Sequence, residues 1–204
     1  MYEFHYHKAL SLKDALSKLD SSEDGKIIAG GMTLLPTMKQ RLAAPSDLID
    51  LTCIDELKGI NHTENIITIG AMTTHYDVHS SEIVRSYIPA LSDLAGLIGD
   101  PMVRHRGTIG GSVANSDPSA DYPAAVLGIG ATIITNQRKI DSSEYFKGLF
   151  ETALEEKEII TSIEFPIPDR AAYTKFPQPA SRYALVGVFI SKKNQKIRVR
   201  VTGA

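Results

Sequence analysis

Two pairs of adjacent glycines are the residues best suited to chemistry in this sequence. They lie in the segments 29–33 (AGGMT) and 108–112 (TIGGS). Adjacent glycines can both adopt positive φ, and successive backbone N–H groups then point into one concavity that binds an anion. Two such turns could hold the two phosphates of one diphosphate, with the hydroxyls of Thr33 and Ser112 at the rim. Either pair taken alone is more often only a tight turn.

A short polar segment, 115–121 (NSDPSAD), follows the second glycine pair. Asn115, Asp117 and Asp121 offer side-chain oxygens that suit the hydroxyls of a ribose or ribityl chain, because one carboxylate can accept from two hydroxyls. An equally good interpretation is structural, with a turn at Asp117-Pro118 and with Asp121 capping the following helix. The sequence leaves both interpretations open.

Other catalytic and binding signatures are missing. The sequence has no G-x-x-x-x-G-K-[ST] phosphate loop, and the segment 128–130 (GIG) follows a predicted helix and lacks the third glycine of a dinucleotide-binding fold. It has no G-x-S-x-G segment and no plausible cysteine–histidine pair, so no catalytic residue is predicted. The pairs His5/His7 and His75/His79 have no evident third ligand, and no metal site is predicted.

Composition limits the class of protein. The chain has 204 residues, of which 43% are hydrophobic and 23% charged, as in globular proteins rather than disordered ones. Its formal net charge of −2 gives no positive field that would attract nucleic acid or an anionic membrane surface. The single cysteine, Cys53, cannot hold an iron–sulfur cluster. Without a long apolar run or a signal sequence, we expect a cytoplasmic protein with no membrane insertion.

Alternating short strands and helices must position these residues. Apolar spacing predicts a helix over 11–19 with Ser11 as its N-cap, and a second helix from Thr33 to about residue 42. A buried helix is predicted over 88–98. Segment 108–113 is predicted as a strand followed by the second glycine turn.

The chain is expected to divide into three parts. We predict a first lobe at 1–55, a second lobe at 56–172 and the incomplete start of a C-terminal domain at 173–204. Four prolines between residues 166 and 179 suggest a linker or an extended crossing just before or within this third part.

Three motifs together carry a resemblance to a known family. They are AGGMTLLPTMKQRL at 29–42, RGTIGGSVANSDPSADYPA at 106–124 and PASRYALVGV at 179–188. In this order they resemble the FAD-binding medium subunit of molybdenum hydroxylases, the family of carbon monoxide dehydrogenase and xanthine dehydrogenase. The resemblance implies an α+β, two-lobed FAD-binding domain of the PCMH (vanillyl-alcohol oxidase) type, followed by a smaller C-terminal domain.

The resemblance also implies FAD as cofactor and a set of residues that contact it. The FAD pyrophosphate is expected on Ala29, Gly30, Gly31, Met32 and Thr33, with Thr108, Ile109, Gly110, Gly111 and Ser112 on its other side. Asp121 matches the carboxylate that binds the sugar portion, while Ile98 and Ile160 match contacts to the cofactor. Lys175 or Gln178 could match a further polar contact. Many relatives have histidine and serine at the positions of Met32 and Thr33.

The function implied is electron transfer. A large partner subunit would hold the molybdenum cofactor, and a small partner would hold two [2Fe–2S] clusters that pass electrons to the FAD of this chain. NAD⁺, oxygen or a quinone would then accept them. Two alternatives stay open: a stand-alone flavin reductase of the same fold, and a truncated assembly module that holds no flavin.

Overall fold

The computed structural model describes residues 1–203, and they form three β-sheets, a two-stranded ribbon and nine α-helices. Elements are numbered in chain order. The N-terminal part contains a three-stranded parallel sheet in the order β1-β3-β2 with two helices, namely β1 (His5–Lys8), α1 (Leu12–Ser21), β2 (Gly25–Ile28), α2 (Leu34–Lys39) and β3 (Asp47–Asp50). The predicted cap is confirmed, because Ser11 Oγ accepts from the Asp14 amide at 3.1 Å.

The central part is built on a five-stranded antiparallel sheet in the order β4-β5-β10-β6-β7. A 3-10 helix (Asp55–Leu57) leads into it. The elements are β4 (Ile60–Thr63), β5 (Ile66–Gly70), α3 (His75–Ser80), α4 (Glu82–Tyr87), α5 (Pro89–Gly96), α6 (Pro101–Arg104), α7 (Ile109–Asn115), α8 (Tyr122–Ile129), β6 (Thr132–Thr135), β7 (Lys139–Asp141), α9 (Ser142–Tyr145), β8 (Phe146–Gly148), β9 (Glu151–Thr152) and β10 (Ile160–Pro166). The helices cover this sheet and bury an extensive apolar core against it.

A third sheet follows in the sequence, with three antiparallel strands in the order β11-β12-β13. The strands are β11 (Arg170–Pro177), β12 (Ala184–Lys193) and β13 (Lys196–Thr202). Of the two alternatives predicted for this proline-rich segment, the linker is wrong over most of its length, because the extended strand β11 occupies it. Pro166 and Pro177 are the last residues of β10 and β11, where a missing N–H donor is tolerated.

Three further predictions differ from the structure. Segment 108–113 is not a strand and turn, because Thr108 is the N-cap of helix α7. Helix α2 ends at Lys39 rather than near residue 42, since Arg41 adopts a positive φ of 61° that stops the helix. The buried helix predicted over 88–98 is shorter at both ends, because Pro89 starts it and Gly96 is its last residue.

The N-terminal and central parts share one of their apolar cores. Ile49 and Leu51, at and after β3, pack in this core with Leu57 of the 3-10 helix. Met72, after β5, and Ile159, before β10, belong to the same cluster and are at most 6% exposed. The two parts are therefore joined along a dry contact rather than by a flexible connection. Among residues 1–203, no helix is long and apolar enough to cross a membrane.

Candidate functional site

A cleft of about 670 Å³ lies along this junction. Nearly all residues singled out from the sequence line it, namely Ala29, Gly30, Gly31, Met32, Thr33, Ile98, Thr108, Gly110, Gly111, Ser112, Asp121 and Ile160. The structure thus brings together segments that are far apart in the chain. Ile109, Lys175 and Gln178 do not line it, and the Ile109 side chain is fully buried in the central core.

The first glycine segment presents a row of backbone donors. Gly31 has a φ of +73°, as a glycine turn predicts, and helix α2 begins directly after Thr33. Within residues 1–203, no protein acceptor bonds the amide N–H groups of the consecutive residues 30–34. Thr33 holds the N-cap position of α2, as expected of a helix that begins there, but its side chain makes no capping bond. This segment has the donors that an anion needs.

Gly30 is required by a close approach of two segments. A Cβ atom at Gly30 would lie 2.1 Å from the Arg106 carbonyl oxygen and 2.8 Å from Gly107 Cα. Both neighbours are backbone atoms, so neither can rotate away. The absence of a side chain therefore lets the row of amides sit directly against the segment that leads into α7.

The second glycine pair has a different role from the one predicted. Gly110 and Gly111 lie in the first turn of α7, and neither has a positive φ. Their amides and those beside them already have partners: Ile109 N–H donates to Thr73 O at 3.1 Å, Gly110 N–H to Ala71 O at 2.9 Å, Gly111 N–H to Thr108 Oγ1 at 3.1 Å and Ser112 N–H to Thr108 O at 3.0 Å. An anion-binding concavity at this pair is therefore contradicted.

Close packing explains Gly110 instead. A Cβ at Gly110 would lie 2.5 Å from the Ala71 Cβ, whereas one at Gly111 would meet Thr108 Oγ1 at 2.9 Å and the Ala29 Cβ at 3.6 Å, an ordinary van der Waals distance. Helix α7 can therefore press against the cleft floor and face the first glycine segment. The second pair shapes the wall of the cleft, while the first supplies the donors.

Asp121 is a buried carboxylate, 4% exposed, at the cleft wall. Its side chain makes no capping bond to α8, so the capping interpretation is wrong. Instead, Tyr173 Oη donates to Oδ1 and Lys175 Nζ donates to Oδ2 at 2.9 Å. Burial raises the pKa of Asp121, and the bonds from Tyr173 and Lys175 oppose that rise without cancelling it.

The other polar residues predicted to bind a ligand have structural contacts within the protein. Asp117 Oδ1 accepts from the Ser119 amide at 2.8 Å, which is the turn that the structural interpretation predicts. Gln178 Oε1 accepts from the amides of Ala180 and Ser181 and does not line the cleft. Lys175 does not line it either, since its ammonium is buried behind Asp121.

Sequence analysis did not predict several residues that line the cleft, and three of them bear on its chemistry. Burial lowers the pKa of His75 to about 4, with a further contribution from Arg104, so its imidazole is neutral at pH 7. Phe150, at the turn between β8 and β9, is 61% exposed at the cleft with a positive φ of 57°. Tyr183 lies in the third motif, and that motif is the only sequence feature that could have indicated its place in the cleft. Nothing in the local sequence indicates that His75 or Phe150 lines the cleft.

Tyr183 faces the first glycine segment across the cleft. Burial raises the pKa of its phenol, the carboxylates of Asp117 and Asp121 raise it further, and a hydrogen bond with Thr33 opposes them. The segment between β11 and β12 therefore lines the same cleft as the N-terminal part and the central part. Within residues 1–203, no three histidine, cysteine or carboxylate side chains gather closely enough to hold a metal ion.

Comparison with known proteins identifies the family. A family model described as the FAD binding domain in molybdopterin dehydrogenase matches residues 2–168. This chain belongs to that family. The resemblance inferred from the three motifs is thereby confirmed, as is FAD as the cofactor.

The chain is similar in sequence to the medium chains of two dehydrogenases. The chain is 36% identical to the glyceraldehyde dehydrogenase medium chain of Sulfolobus acidocaldarius over 94% of its length and 70% of that relative. It is 38% identical to the carbon monoxide dehydrogenase medium chain of Hydrogenophaga pseudoflava, over 90% of its length and 67% of that relative. The chain is thus part of an oxidoreductase.

A solved structure from the family confirms the predicted α+β FAD-binding fold. The carbon monoxide dehydrogenase of Hydrogenophaga pseudoflava, in a form lacking the Mo-pyranopterin moiety, superimposes with a TM-score of 0.92 at 37% identity. The match covers 98% of this chain and 74% of that one.

The residues of the cleft fit the family's cofactor. FAD carries an anionic diphosphate, several hydroxyls and a flat apolar ring system. The unpaired amides of 30–34 suit the diphosphate, and the buried carboxylate of Asp121 suits hydroxyls. Ile98 and Ile160 give the cleft apolar surface.

Proposed function

We propose that this chain is the FAD-binding electron-transfer subunit of a molybdenum-containing hydroxylase or dehydrogenase. The single observation that carries the proposal is the row of unpaired backbone amides at 30–34, which lines a cleft of about 670 Å³. Such a row in a chain of this family is best explained by a bound diphosphate.

Each part of the cleft then has a role toward FAD. The pyrophosphate binds to the segment 29–33, and the start of α7 at 108–112 forms the opposite wall. Asp121 accepts hydrogen bonds from hydroxyls of the sugar portion. Ile98 and Ile160 contact the cofactor through apolar surface. Ile109 supports this wall from the core without touching the cofactor, in contrast to the expectation from the resemblance.

FAD supplies the redox chemistry when bound, and the chain supplies position, charge and exclusion of water. The backbone donors of 30–34 stabilise the diphosphate charge by hydrogen bonding, and Lys26 and Arg182 also line the cleft. Neutral His75 adds no charge to the cleft at pH 7. Under this proposal, no side chain is required as a general acid, base or nucleophile.

The proposed partners are a large subunit with the molybdenum cofactor and a small subunit with [2Fe–2S] clusters. The names of the relatives as medium chains support a multi-subunit assembly. Electrons would enter from the small subunit and leave to an external acceptor. We expect this assembly in the cytoplasm, with lobes at 1–55 and 56–172 and a third unit over 173–204.

Spectroscopy of the purified chain tests the proposal. Flavin absorption bands, or saturable quenching of added FAD with one equivalent bound, are the expected result. FAD should bind more tightly than FMN, and FMN more tightly than riboflavin, because the amides of 30–34 recognise phosphate. A colourless protein that ignores FAD would instead support the assembly module, and turnover of a substrate by the chain alone would support the stand-alone reductase.

A further inference from the structure

A second pocket, of about 380 Å³, adjoins the candidate FAD cleft. Gly30, Met72 and Thr108 line both spaces, whereas Arg106 lines only the second pocket and Gly107 only the cleft. The backbone of 106–107, where it crosses Gly30, therefore forms a wall between the two. The volume of the second pocket lies within the range of about 300–1,000 Å³ that small-molecule sites occupy.

Three basic side chains line the second pocket, those of Lys58, His105 and Arg106. Arg106 is exposed, and its guanidinium forms no ion pair with any carboxylate of residues 1–203. Lys58 pairs with Asp55 at 2.7 Å, but the Asp55 side chain is 92% exposed. Such exposed pairs are weak, so the ammonium of Lys58 is free to turn to an anion in the pocket.

The nearby carboxylates already have donors of their own. Among the described residues that line the pocket, Asp77 is the one carboxylate, and it accepts from Thr74 Oγ1 at 2.6 Å. Asp50 does not line the pocket, and its oxygens accept from the Tyr6 hydroxyl and the Thr52 amide. The pocket therefore has an excess of positive charge, although the whole chain has a formal net charge of −2.

Apolar and aromatic surface lies beside these charges. Ile60 and Met72 line the pocket, and the His105 ring stacks on Tyr76 with 4.2 Å between the ring centroids. His105 Nδ1 also lies 2.7 Å from the Pro101 carbonyl oxygen, and these two contacts hold the ring at the edge of the pocket. A ligand would thus meet a flat ring and two aliphatic side chains next to the positive groups.

We propose that the second pocket binds a small organic anion, a carboxylate or phosphate group carried by a compact apolar body. Arg106 and Lys58 bind the anionic group, and Ile60, Met72 and the His105 ring contact the body. Because this pocket is separate from the FAD cleft, the inference does not rest on the proposed function. It gives a role to two basic side chains that contact with FAD does not explain.

Calorimetric titration with phenyl phosphate and with benzoate tests the inference. The two probes share an aromatic ring, so a difference between them shows which anionic group the pocket prefers. We expect saturable binding of one equivalent of at least one probe, and none of benzyl alcohol, which has the ring without the charge. Arg106→Met and Lys58→Met should each weaken binding roughly tenfold or more, the size expected when a charged hydrogen bond is lost.

Two controls locate the bound probe. Lys147→Met removes an exposed lysine that pairs with Glu144 three residues away, as Lys58 does with Asp55, but Lys147 lines neither space. This variant should bind the probe like the wild type. Titrations are also repeated with FAD at saturation, which makes the amides of 30–34 unavailable, and the probe affinity should not change.

Three results would overturn the inference. They are the absence of saturable binding of both probes, wild-type probe affinity in both Arg106→Met and Lys58→Met, and displacement of the probe by FAD, which would place it in the cleft. A chain that does not bind FAD contradicts the proposed function alone, because the titrations of the variants without FAD still decide whether the second pocket binds an anion.

Discussion

Replacement of Gly30 by alanine tests the close approach on which the cleft depends. The added Cβ would lie 2.1 Å from the Arg106 carbonyl oxygen, about 0.9 Å inside the 3.0 Å limit that Cβ contacts essentially never cross. Because the neighbour is backbone, the two segments must separate. Overpacking costs about 1–3 kcal/mol, and a rigid backbone neighbour places this variant near the upper end.

The assay has two readouts. A loss of about 3 kcal/mol should lower the thermal midpoint by about 6–12 °C for a domain of this size, while the protein remains folded at 25 °C. FAD titration should show at least a tenfold weaker complex, since the row of amides no longer faces the cleft wall in its original position. Both are measured on the same preparation, by thermal unfolding without FAD and by flavin fluorescence.

Gly148→Ala provides the matched control. Its added Cβ would meet the movable carboxylate end of the Glu151 side chain at 3.0 Å, and Gly148 itself does not line the cleft. We expect small effects on both readouts. A Gly30→Ala protein with the wild-type thermal midpoint and wild-type FAD affinity would refute the reasoning, because the contact between residue 30 and the Arg106 carbonyl oxygen would then not constrain the first glycine segment.

Three other variants have distinct expected outcomes. Gly111→Val should abolish FAD binding, which would be detected as a colourless protein. The free energy of unfolding should change by only about 1 kcal/mol, because residue 111 lies in a helix and its Cβ would meet mainly Thr108 Oγ1 at 2.9 Å. If the variant retains FAD, the role of Gly111 is purely structural. Burial raises the pKa of Glu158, but Arg138 and other donors outweigh it and hold the pKa at about 2. Stability is therefore lost as pH falls from about 4.5 to 2, by about 3 kcal/mol in total, and Glu158→Gln should flatten this range in acid-unfolding curves. His75 has a folded pKa of about 4, so it adds a similar loss between about pH 6.5 and 4 that His75→Gln should remove; a curve unchanged in that range would contradict its burial.

Local sequence rules correctly predicted features of the N-terminal part, including the first glycine segment. Gly31 was predicted to turn with positive φ, and Ser11 to cap α1, because both depend on nearby backbone geometry. The motif resemblance located most of the lining residues. It could do so because the order of motifs along the chain carries more information than any one of them.

The second glycine pair shows where such rules stop. A glycine can be required for positive φ or for a neighbour that comes too close, and the sequence alone does not distinguish the two. Gly110 meets Ala71, which lies far away in the chain, and this contact converts a predicted turn into the start of α7. The alternation in the sequence near Thr108 resembles a strand until that contact is known.

Asp121 illustrates a second limit. A carboxylate just before a helix usually caps it, and the prediction kept that possibility. The structure instead pairs Asp121 with Tyr173 and Lys175, from a segment whose prolines predict a linker or an extended crossing. His75 was considered from the sequence only as a possible metal ligand, and its burial at the cleft could not be predicted for a related reason, since that burial depends on packing against distant segments.

The apolar core shared through Met72 and Ile159 has a consequence for how FAD enters. Moving the N-terminal and central parts away from each other to open the cleft would expose these side chains to solvent. This exposure costs free energy in proportion to the apolar surface area that becomes accessible to water. The cleft is thus already shaped as a slot, and FAD binding requires no prior closure of the two parts that would lower affinity. Flavin stripped from the chain should be replaceable by simple incubation, without refolding.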